Sequence, residues 1–248
     1  MTKSAAPLPG QGGLPDICVM ISGGMDSGIL LAEVLYSLKF NSVYPVYIRS
    51  GLRWEAAESF WLERFLSGLE ASMDPDQKKK LRPLTILESS ASDLYGIHWS
   101  LQGNGGVPDA ASRDEEVYLP GRNLLLLSKT AVFCRLHDID RIAIGLLRGN
   151  PFPDATEAFF KSMEQTISLS LNRSIRLLTP FLTLSKTDVL RRAKRLRVPL
   201  EYTFSCLQPS PLHEPCGRCN KCAERDRAMA WLQSNKELLS SPPLLDHI

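Results

Sequence analysis

The chain has 248 residues, 44% of them hydrophobic, and its 29 basic and 27 acidic residues leave a net charge of +2. That length suffices for one globular domain with a large core, and so small a net charge excludes a wholesale basic surface for nucleic acid. No apolar run approaches the roughly 20 residues that span a bilayer, so we expect no membrane contact and, by default, a cytoplasmic location. Residues 1–15 lack a signal-peptide core and are predicted to be a disordered leader.

Short apolar runs alternate with stretches of helical periodicity along the rest of the chain. Strands are predicted at residues 17–21, 42–48, 84–87, 141–146 and 175–178. Helices are predicted at residues 29–38, 54–69, 123–136, 156–171 and 186–196, the last with Ser185 as its N-cap. Pro45 lies inside the second predicted strand, which favours an edge position or a bulge for that strand. The alternation predicts an α/β fold with a doubly wound parallel sheet of about five strands and ligands beyond their carboxyl ends.

Three further segments complete the predicted organisation. Residues 89–119 show weak periodicity and are predicted to form a long functional loop. We expect an α/β domain over residues 16–200, followed by a metal-binding segment with a C-terminal helix over 201–232. Residues 233–248 contain Pro242-Pro243 and are predicted to be a loose tail.

A glycine-rich loop, Ser22-Gly23-Gly24-Met25-Asp26-Ser27, lies between the first predicted strand and the first helix. Glycines let successive backbone N–H groups converge on an anion, and the following helix N-terminus adds its positive dipole end. Both serines can donate hydroxyl groups to phosphate, and Asp26 can hold Mg²⁺ or orient the loop. The alternative is an ordinary glycine turn with no role in binding. The loop lacks the Gly-Lys-[Ser/Thr] ending of a Walker A site, and instead resembles the SGGxDS motif of the PP-loop ATP pyrophosphatase superfamily.

That resemblance implies an ATP-splitting enzyme that forms adenylated intermediates. The residues it implies for nucleotide binding are Ile21, Ser22, Gly23, Gly24, Met25, Asp26, Ser27 and Gly28.

Six cysteines are unevenly placed along the chain. Cys18 and Cys134 stand alone in apolar surroundings and are predicted to be buried. The other four are clustered and have the spacing of a closed, tetrahedral structural zinc site: Cys206, Cys216, Cys219 and Cys222. The alternatives are four free thiols, or His213 as a rival ligand.

Several motifs occur in a fixed order along the chain. They are the glycine-rich loop, Leu119-Pro120-Gly121-Arg122-Asn123, Pro153-Asp154, Thr179-Pro180 followed by Lys186, and Ser205-Cys206 ahead of the remaining cysteines. From about residue 17 to 229 this pattern resembles the 7-cyano-7-deazaguanine synthase family, also called the ExsB family. The resemblance implies conversion of 7-carboxy-7-deazaguanine and ammonia to the nitrile with ATP and Mg²⁺, a bound Zn²⁺ and a homodimer.

The resemblance also implies roles for individual residues. Asp26, Ser27 and Lys186 are the expected catalytic residues, with Lys186 reaching the phosphates; the alternative is a solvent-facing lysine. Arg122 and Asn123 are expected to contact the substrate. The alternative, with equal support, is that Arg122 is a surface residue and Asn123 is the N-cap of its helix. For Asp154, recognition of guanine-like N–H donors competes with capping of the helix that follows it.

Two positions depart from the family's usual pattern. Ala155 stands where the family commonly has cysteine, and Gly28 stands where it commonly has threonine. These departures leave open a reaction that stops at the amide or that uses a related carboxylate. Trp54, in the loop after the second strand, either stacks on a base or packs in the core.

Two other functions remain open from the residues alone. One is a tRNA-thiolation type of adenylating enzyme, which usually needs a catalytic cysteine pair or an added RNA-binding domain. The other is a non-catalytic zinc module that binds nucleic acid or protein through a basic face supplied by Arg218, Lys221, Arg225 and Arg227. The net charge by itself argues neither for nor against a nucleic-acid partner. The intact glycine-rich loop argues against the non-catalytic module, and with the resemblance it makes a small-molecule substrate the expectation and a nucleic-acid partner unlikely.

Overall fold

A computed structural model describes residues 13–102 and 106–235. Five strands form one sheet: β1 (Ile17–Met20), β2 (Val43–Arg49), β3 (Thr85–Glu88), β4 (Arg141–Ala143) and β5 (Arg176–Leu178). The α-helices are α1 (Met25–Tyr36), α2 (Glu55–Ala71), α3 (Pro75–Lys80), α4 (Ser92–Tyr95), α5 (Trp99–Gln102), α6 (Arg122–Leu136), α7 (Glu157–Ser170), α8 (Lys186–Arg195) and α9 (Asn220–Ser234). In the described part of the chain, no helix is both long and apolar enough to cross a membrane.

The strand order is β3-β2-β1-β4-β5, and every neighbouring pair is parallel. All four residues of the central strand, β1, are buried, as expected for a strand covered on both faces. The predicted doubly wound parallel sheet is therefore confirmed. The order reverses between β1 and β4, and open sheets of this kind bind ligands at the carboxyl edge of such a switch point.

The edge position that Pro45 suggested for its strand is wrong, but the pairing with β3 is irregular beside it: Val43 bridges Leu81, whereas Val46 pairs with Thr85, a shift of one residue. β2 lies between β1 and β3, and Pro45 is in regular register with Val19. The carbonyl groups of Ser42 and Val46 accept hydrogen bonds from β1, so the backbone groups of Pro45 face β3 instead. The β2–β3 ladder begins only at Val46, and the missing N–H of Pro45 therefore breaks no ladder hydrogen bond.

Apolar side chains on the two faces of the sheet form separate cores. The first contains residues of α1, α2 and α8 and reaches Ala228 in α9. The second lies under α6 and α7 and includes Cys18 and Cys134, both fully buried as predicted. A third cluster lies beside the carboxyl edge of the sheet and joins Trp54, Leu119 and three of the clustered cysteines.

Several segment boundaries differ from the sequence-based expectation. Residues 89–119 are not a continuous loop, because they contain α4, α5 and a 3-10 turn at Asp114–Val117. β4 ends at Ala143 rather than at residue 146. Gly145 lies close against the glycine-rich loop, because a Cβ at that position would be 3.0 Å from the carbonyl oxygen of Asp26. α9 continues to Ser234, into the predicted tail. Residues 1–12 of the predicted leader and 236–248 of the tail lie outside the described residues, as do residues 103–105, so the leader and the tail remain predictions.

Candidate active site

A cleft of about 300 Å³ opens beyond the carboxyl ends of β1 and β4, at the switch point of the sheet. We call it the central cleft. It brings together most of the residues expected at the site from separate parts of the chain: Ser22, Gly24, Met25, Asp26, Ser27, Arg122, Asn123, Asp154, Lys186 and Cys206. Ile21, Gly23 and Gly28 do not line it. Gly23 lies within the loop, and Ile21 and Gly28 flank it, so their assignment to nucleotide binding stays a prediction.

Internal hydrogen bonds hold the glycine-rich loop in shape. Gly23 has a φ of +75°, a conformation that favours glycine, and its carbonyl oxygen accepts a 2.8 Å hydrogen bond from the N–H of Phe204. Ser27 Oγ accepts from the N–H of Ser22 at 3.1 Å and donates to the carbonyl oxygen of Gly24 at 3.1 Å. The first N–H groups of α1, which have no intrahelical partner, open onto the loop and form a site suited to an anion.

Four charged side chains lie in one chain of ion pairs across the central cleft, and we call them the four-charge network. Lys186 Nζ lies 2.9 Å from Asp26 Oδ1 and 3.1 Å from Glu224 Oε1. Glu224 also accepts a 2.8 Å hydrogen bond from Lys221 Nζ. The predicted phosphate lysine is thus inside the cleft rather than on an outer surface. The sequence predicted Lys221 only as part of a basic face, and Glu224 only as an acidic residue that offsets that face.

Electrostatics keep most of this network ionised. Burial disfavours the ammonium form of Lys186, but the carboxylates of Asp26 and Glu224 outweigh it and raise its pKa. Burial also opposes ionisation of Glu224, yet Lys221 and Lys186 lower its pKa to about 2. Burial raises the pKa of Asp26, and the neighbouring Lys186 ammonium opposes that rise.

Asp154 fixes the start of α6 on the opposite wall of the cleft. Its Oδ2 accepts a 2.8 Å hydrogen bond from the N–H of Asn123, and the Asn123 side chain donates to the Asp154 carbonyl oxygen at 2.9 Å. The two readings of Asp154 and Asn123 as caps of their own helices are wrong. Thr156 caps α7, and Gly121 occupies the N-cap position of α6.

A half-buried arginine side chain lies beside these residues. Arg122 lines the central cleft, and its Nε is buried without a hydrogen-bond partner among the described residues. An unpaired buried donor is costly in a folded protein, which makes Arg122 suited to binding a ligand carboxylate or phosphate.

Glu58 is an acidic residue of the cleft that sequence reasoning missed. It lies on α2, is 8% exposed, and accepts a 2.7 Å hydrogen bond from the Tyr47 hydroxyl. Burial raises its pKa to about 7, although Arg122 and the hydrogen bond from Tyr47 oppose the rise. No local motif surrounds Glu58, and only its helical spacing from the buried Trp54 and Leu62 could have indicated an inward-facing carboxyl group.

Aromatic rings form much of the remaining wall. Trp54 and Trp99 stack with ring centroids 5.9 Å apart, and Tyr118 stacks on Phe152 at 5.0 Å. All four line the central cleft. Trp54 is 5% exposed and packs in the third apolar cluster, which confirms core packing, whereas stacking on a base stays a prediction.

The four clustered cysteines have the arrangement of a metal centre. The sulfur atoms of Cys206, Cys216, Cys219 and Cys222 all lie within 4.8 Å of one another, and those of Cys216 and Cys222 are 3.9 Å apart. Four thiolates around a tetrahedral Zn²⁺ with bonds of about 2.3 Å would be about 3.8 Å apart, so the donor set fits zinc. His213 is outside this group, as expected.

The two positions that depart from the family pattern implied by the resemblance, Gly28 and Ala155, lie in different surroundings. A Cβ on Gly28 would lie 2.8 Å from Cζ of Phe65, a fully buried ring, so that ring fills the space of a side chain at position 28. Ala155 is buried directly after Asp154. Nothing in its surroundings explains the loss of a thiol there.

Two of the four basic side chains that a non-catalytic module would need are bonded within the protein. Lys221 points to Glu224, and Arg225 donates hydrogen bonds to Thr203 Oγ1 at 2.8 Å and to the carbonyl oxygen of Leu200 at 3.2 Å. Arg218 and Arg227 are exposed. The arrangement does not favour a nucleic-acid surface around the cysteines.

Comparisons with known proteins identify relatives over most of the chain. A family model described as queuosine biosynthesis protein QueC matches residues 16–233. A 7-cyano-7-deazaguanine synthase of Sulfurihydrogenibium sp. (strain YO3AOP1) is 31% identical over 223 residues, which cover 86% of this chain and 94% of that relative. One of Methanosphaerula palustris is 31% identical over 232 residues, with coverages of 86% and 93%. Among solved structures, a U34-tRNA thiolase of Methanococcus maripaludis is 12% identical with a TM-score of 0.48, covering 96% of this chain and 76% of that one.

Proposed function

This chain belongs to the QueC family of queuosine biosynthesis proteins, and we propose that it converts 7-carboxy-7-deazaguanine and ammonia to 7-cyano-7-deazaguanine at the expense of ATP. Relatives that carry the name 7-cyano-7-deazaguanine synthase match most of the chain. One observation carries the proposal for this molecule: the anion-binding loop and Lys186 face Arg122 and Asp154 across one cleft.

The reaction divides into two activation steps. A carboxylate oxygen of the substrate attacks the α-phosphorus of ATP, and pyrophosphate leaves toward the loop 22–27 and Lys186. Ammonia attacks the acyl carbon, the bond to AMP breaks, and loss of a proton gives the amide. The amide oxygen then attacks the α-phosphorus of a second ATP and pyrophosphate leaves. Loss of AMP and of both protons from nitrogen gives the nitrile. The residues of the cleft mainly position reactants and stabilise charge.

We assign the substrate end of the cleft to α6 and its partners. Arg122 supplies a planar, permanently charged group for an anionic oxygen. Asp154 holds the N-terminus of α6 and lines the same wall, where an oxygen acceptor suits the N–H groups of a guanine-like ring. The stacked pairs Trp54–Trp99 and Tyr118–Phe152 supply flat apolar surfaces for that ring.

The attack of ammonia releases one proton, and the formation of the nitrile from the amide releases two. Glu58 lines the cleft, and its pKa of about 7 matches proton transfer at neutral pH. We therefore propose Glu58 as the proton acceptor. Asp26, which faces the loop, is the proposed ligand of Mg²⁺, since this ion prefers carboxylate and phosphate oxygens.

Zinc, in this proposal, is structural. Four thiolates leave no open coordination position for a substrate. Thiolates also persist best in a reducing compartment, which supports a cytoplasmic location. Free ammonia as nitrogen donor and a homodimer remain predictions from the family resemblance.

A direct assay distinguishes the proposed reaction from its runner-up, an amide-forming ligase. The purified protein is incubated with ATP, Mg²⁺, ammonium and 7-carboxy-7-deazaguanine, and the products are identified by mass spectrometry. We expect the nitrile, with AMP and pyrophosphate released only when substrate is present. Accumulation of the amide would instead support the shorter reaction, and a lack of substrate-dependent AMP would contradict both.

A matched pair of lysine variants tests the site. Lys186→Met should lower turnover about a hundredfold or more, because one preorganised charge contact is typically worth that much in a transition state. Lys161→Met removes the same charge from the exposed surface of α7 and should leave turnover unchanged. Equal turnover of the two variants would remove Lys186 from the proposed machinery.

A further inference from the structure

The first turn of α9 serves two neighbouring sites at once. Cys219 is its N-cap and Cys222 lies one turn further on, and both sulfur atoms belong to the cysteine cluster. Lys221 and Glu224 have the same i, i+3 spacing and therefore share another face of the helix. Both line the central cleft, where their terminal atoms are 2.8 Å apart.

Glu224 is the link between two lysines that come from different elements. Its two carboxylate oxygens accept hydrogen bonds from Lys186 at 3.1 Å and from Lys221 at 2.8 Å. Lys186 in turn contacts Asp26, which belongs to the glycine-rich loop. The four-charge network therefore connects the loop, α8 and α9, and a further carboxylate, that of Asp114, lies 3.8 Å from Lys221 Nζ.

The network remains open to exchange with a ligand. The side chains of Lys186, Asp26, Lys221 and Glu224 are between 26% and 33% exposed, and all four line the cleft. Partly exposed ion pairs are worth little in stability, so a polyphosphate can compete with the carboxylates for the ammonium groups. Lysine is a well-suited partner for phosphate because it acts as a mobile point charge.

We propose that Lys221 is a second phosphate-binding lysine, paired with Lys186, and that Glu224 holds both lysines in place until the triphosphate of ATP takes them over. This inference rests on the proposed use of ATP at the loop 22–27. It gives the cysteine cluster a role in the site: the cluster fixes the helix turn that carries Lys221.

Binding of pyrophosphate, measured by calorimetry in magnesium-free buffer, tests the inference without needing turnover. Lys221→Met should weaken pyrophosphate binding about tenfold to a hundredfold, because a hydrogen bond to a charged group is worth about 1.5–3 kcal/mol. Lys221→Arg should recover much of the affinity. Glu224→Gln should strengthen binding, since it removes the anion that competes for both lysines.

Arg218→Met is the matched control. Arg218 is exposed, does not line the cleft, and lies between two cysteines of the cluster just as Lys221 does. Its loss should leave pyrophosphate binding unchanged. Zinc content and the unfolding midpoint, measured for every variant, should match those of the unmodified protein. Opposite effects of Lys221→Met and Glu224→Gln would not arise from a purely structural role.

The outcomes separate this inference from the proposed function. Undiminished binding by a zinc-replete Lys221→Met protein would overturn the inference, whatever the enzyme's substrate. If the variants change pyrophosphate binding as expected but the protein does not convert 7-carboxy-7-deazaguanine, the inference stands and the proposed function is contradicted. Failure of the unmodified protein to bind pyrophosphate or ATP would overturn both.

Discussion

At the scale of single residues, Glu58 is a carboxyl group that α2 places against the sheet with only 8% of its surface exposed. The Tyr47 hydroxyl donates a hydrogen bond to it, and Arg122 lies near enough to favour its charged form. Burial is nevertheless the largest influence and raises its pKa to about 7 from the ordinary value of 4.5. The folded protein therefore binds this proton more tightly than the unfolded chain does.

The free energy of unfolding should consequently fall as pH rises, because Glu58 must then lose its proton in the folded protein. The contribution of protonated Glu58 is fully present below about pH 4.5 and is lost as pH rises through about 7, at a cost on the order of 3 kcal/mol. Urea unfolding of the unmodified protein and of Glu58→Gln should show this loss only in the former. The amide introduced by this substitution keeps an oxygen acceptor for the Tyr47 hydroxyl but cannot ionise.

The control for this comparison is Glu63→Gln, on the exposed side of the same helix. Its unfolding free energy should follow the same pH profile as that of the unmodified protein. If the unfolding free energies of all three proteins changed in parallel between pH 4.5 and 7.5, ionisation of Glu58 would not lower the stability of the folded protein.

At the scale of elements, α1 approaches α2 closely because Gly28 has no side chain. Phe65 of α2 is fully buried, and its ring occupies the space that a Cβ at position 28 would need. Gly28, where the family resemblance implies threonine, is therefore matched by the ring of Phe65. Gly28 thus affects core packing behind the glycine-rich loop, and it does not itself line the central cleft.

A pair of substitutions tests this packing. Gly28→Thr should lower the free energy of unfolding by about 1–3 kcal/mol, because added atoms in a well-packed core force side chains or backbone to shift. Gly28→Thr combined with Phe65→Leu should lose less than the sum of the two single changes, since the smaller side chain makes room for threonine. Additive losses in urea unfolding would mean that Phe65 does not determine the residue at position 28.

At the scale of the whole molecule, the cysteine cluster holds together segments that are distant in sequence. The third apolar cluster combines three of the cysteines with Leu52, Trp54 and Leu119. Asn220 donates to the carbonyl oxygen of Ser112, and its own N–H bonds the carbonyl oxygen of Pro108. Ala228, later in α9, packs in the first core instead. A domain boundary near residue 200 remains a prediction, and these contacts show that the segment after it shares its packing with the sheet.

Removal of the metal should therefore loosen one wall of the cleft without unfolding the sheet. After treatment with a zinc chelator, hydrogen exchange should accelerate in residues 106–119 and 203–222, because the thiolates would repel one another and the third apolar cluster would open. Exchange in β1 and β4 serves as the internal control and should stay slow. Uniform acceleration throughout the chain would mean that the metal supports the entire fold.

The parts of this protein that the sequence predicted are those encoded by chain neighbours. Strand, glycine turn and helix follow one another within a few residues at 17–36, so the anion-binding loop is visible as a local pattern. The spacing of Cys216, Cys219 and Cys222 likewise brings three sulfur atoms together within one turn and its approach. The parallel sheet followed from the alternation of apolar runs and amphipathic helices, because short connections leave few other topologies.

The remaining features depend on which distant residues the fold brings together. Pro45 is compatible with an interior strand only because the pairing of β2 with β3 begins at Val46, the residue after it. No local propensity encodes that starting point. Asp154 holds the start of a helix that begins far earlier in the chain, and Glu58 and Glu224 acquire their roles only where α2 and α9 meet the loop. Side-chain burial and ion pairing arise from tertiary packing, so the sequence by itself determined the fold class and the anion-binding loop, whereas the tertiary structure decided which other charges share its cleft.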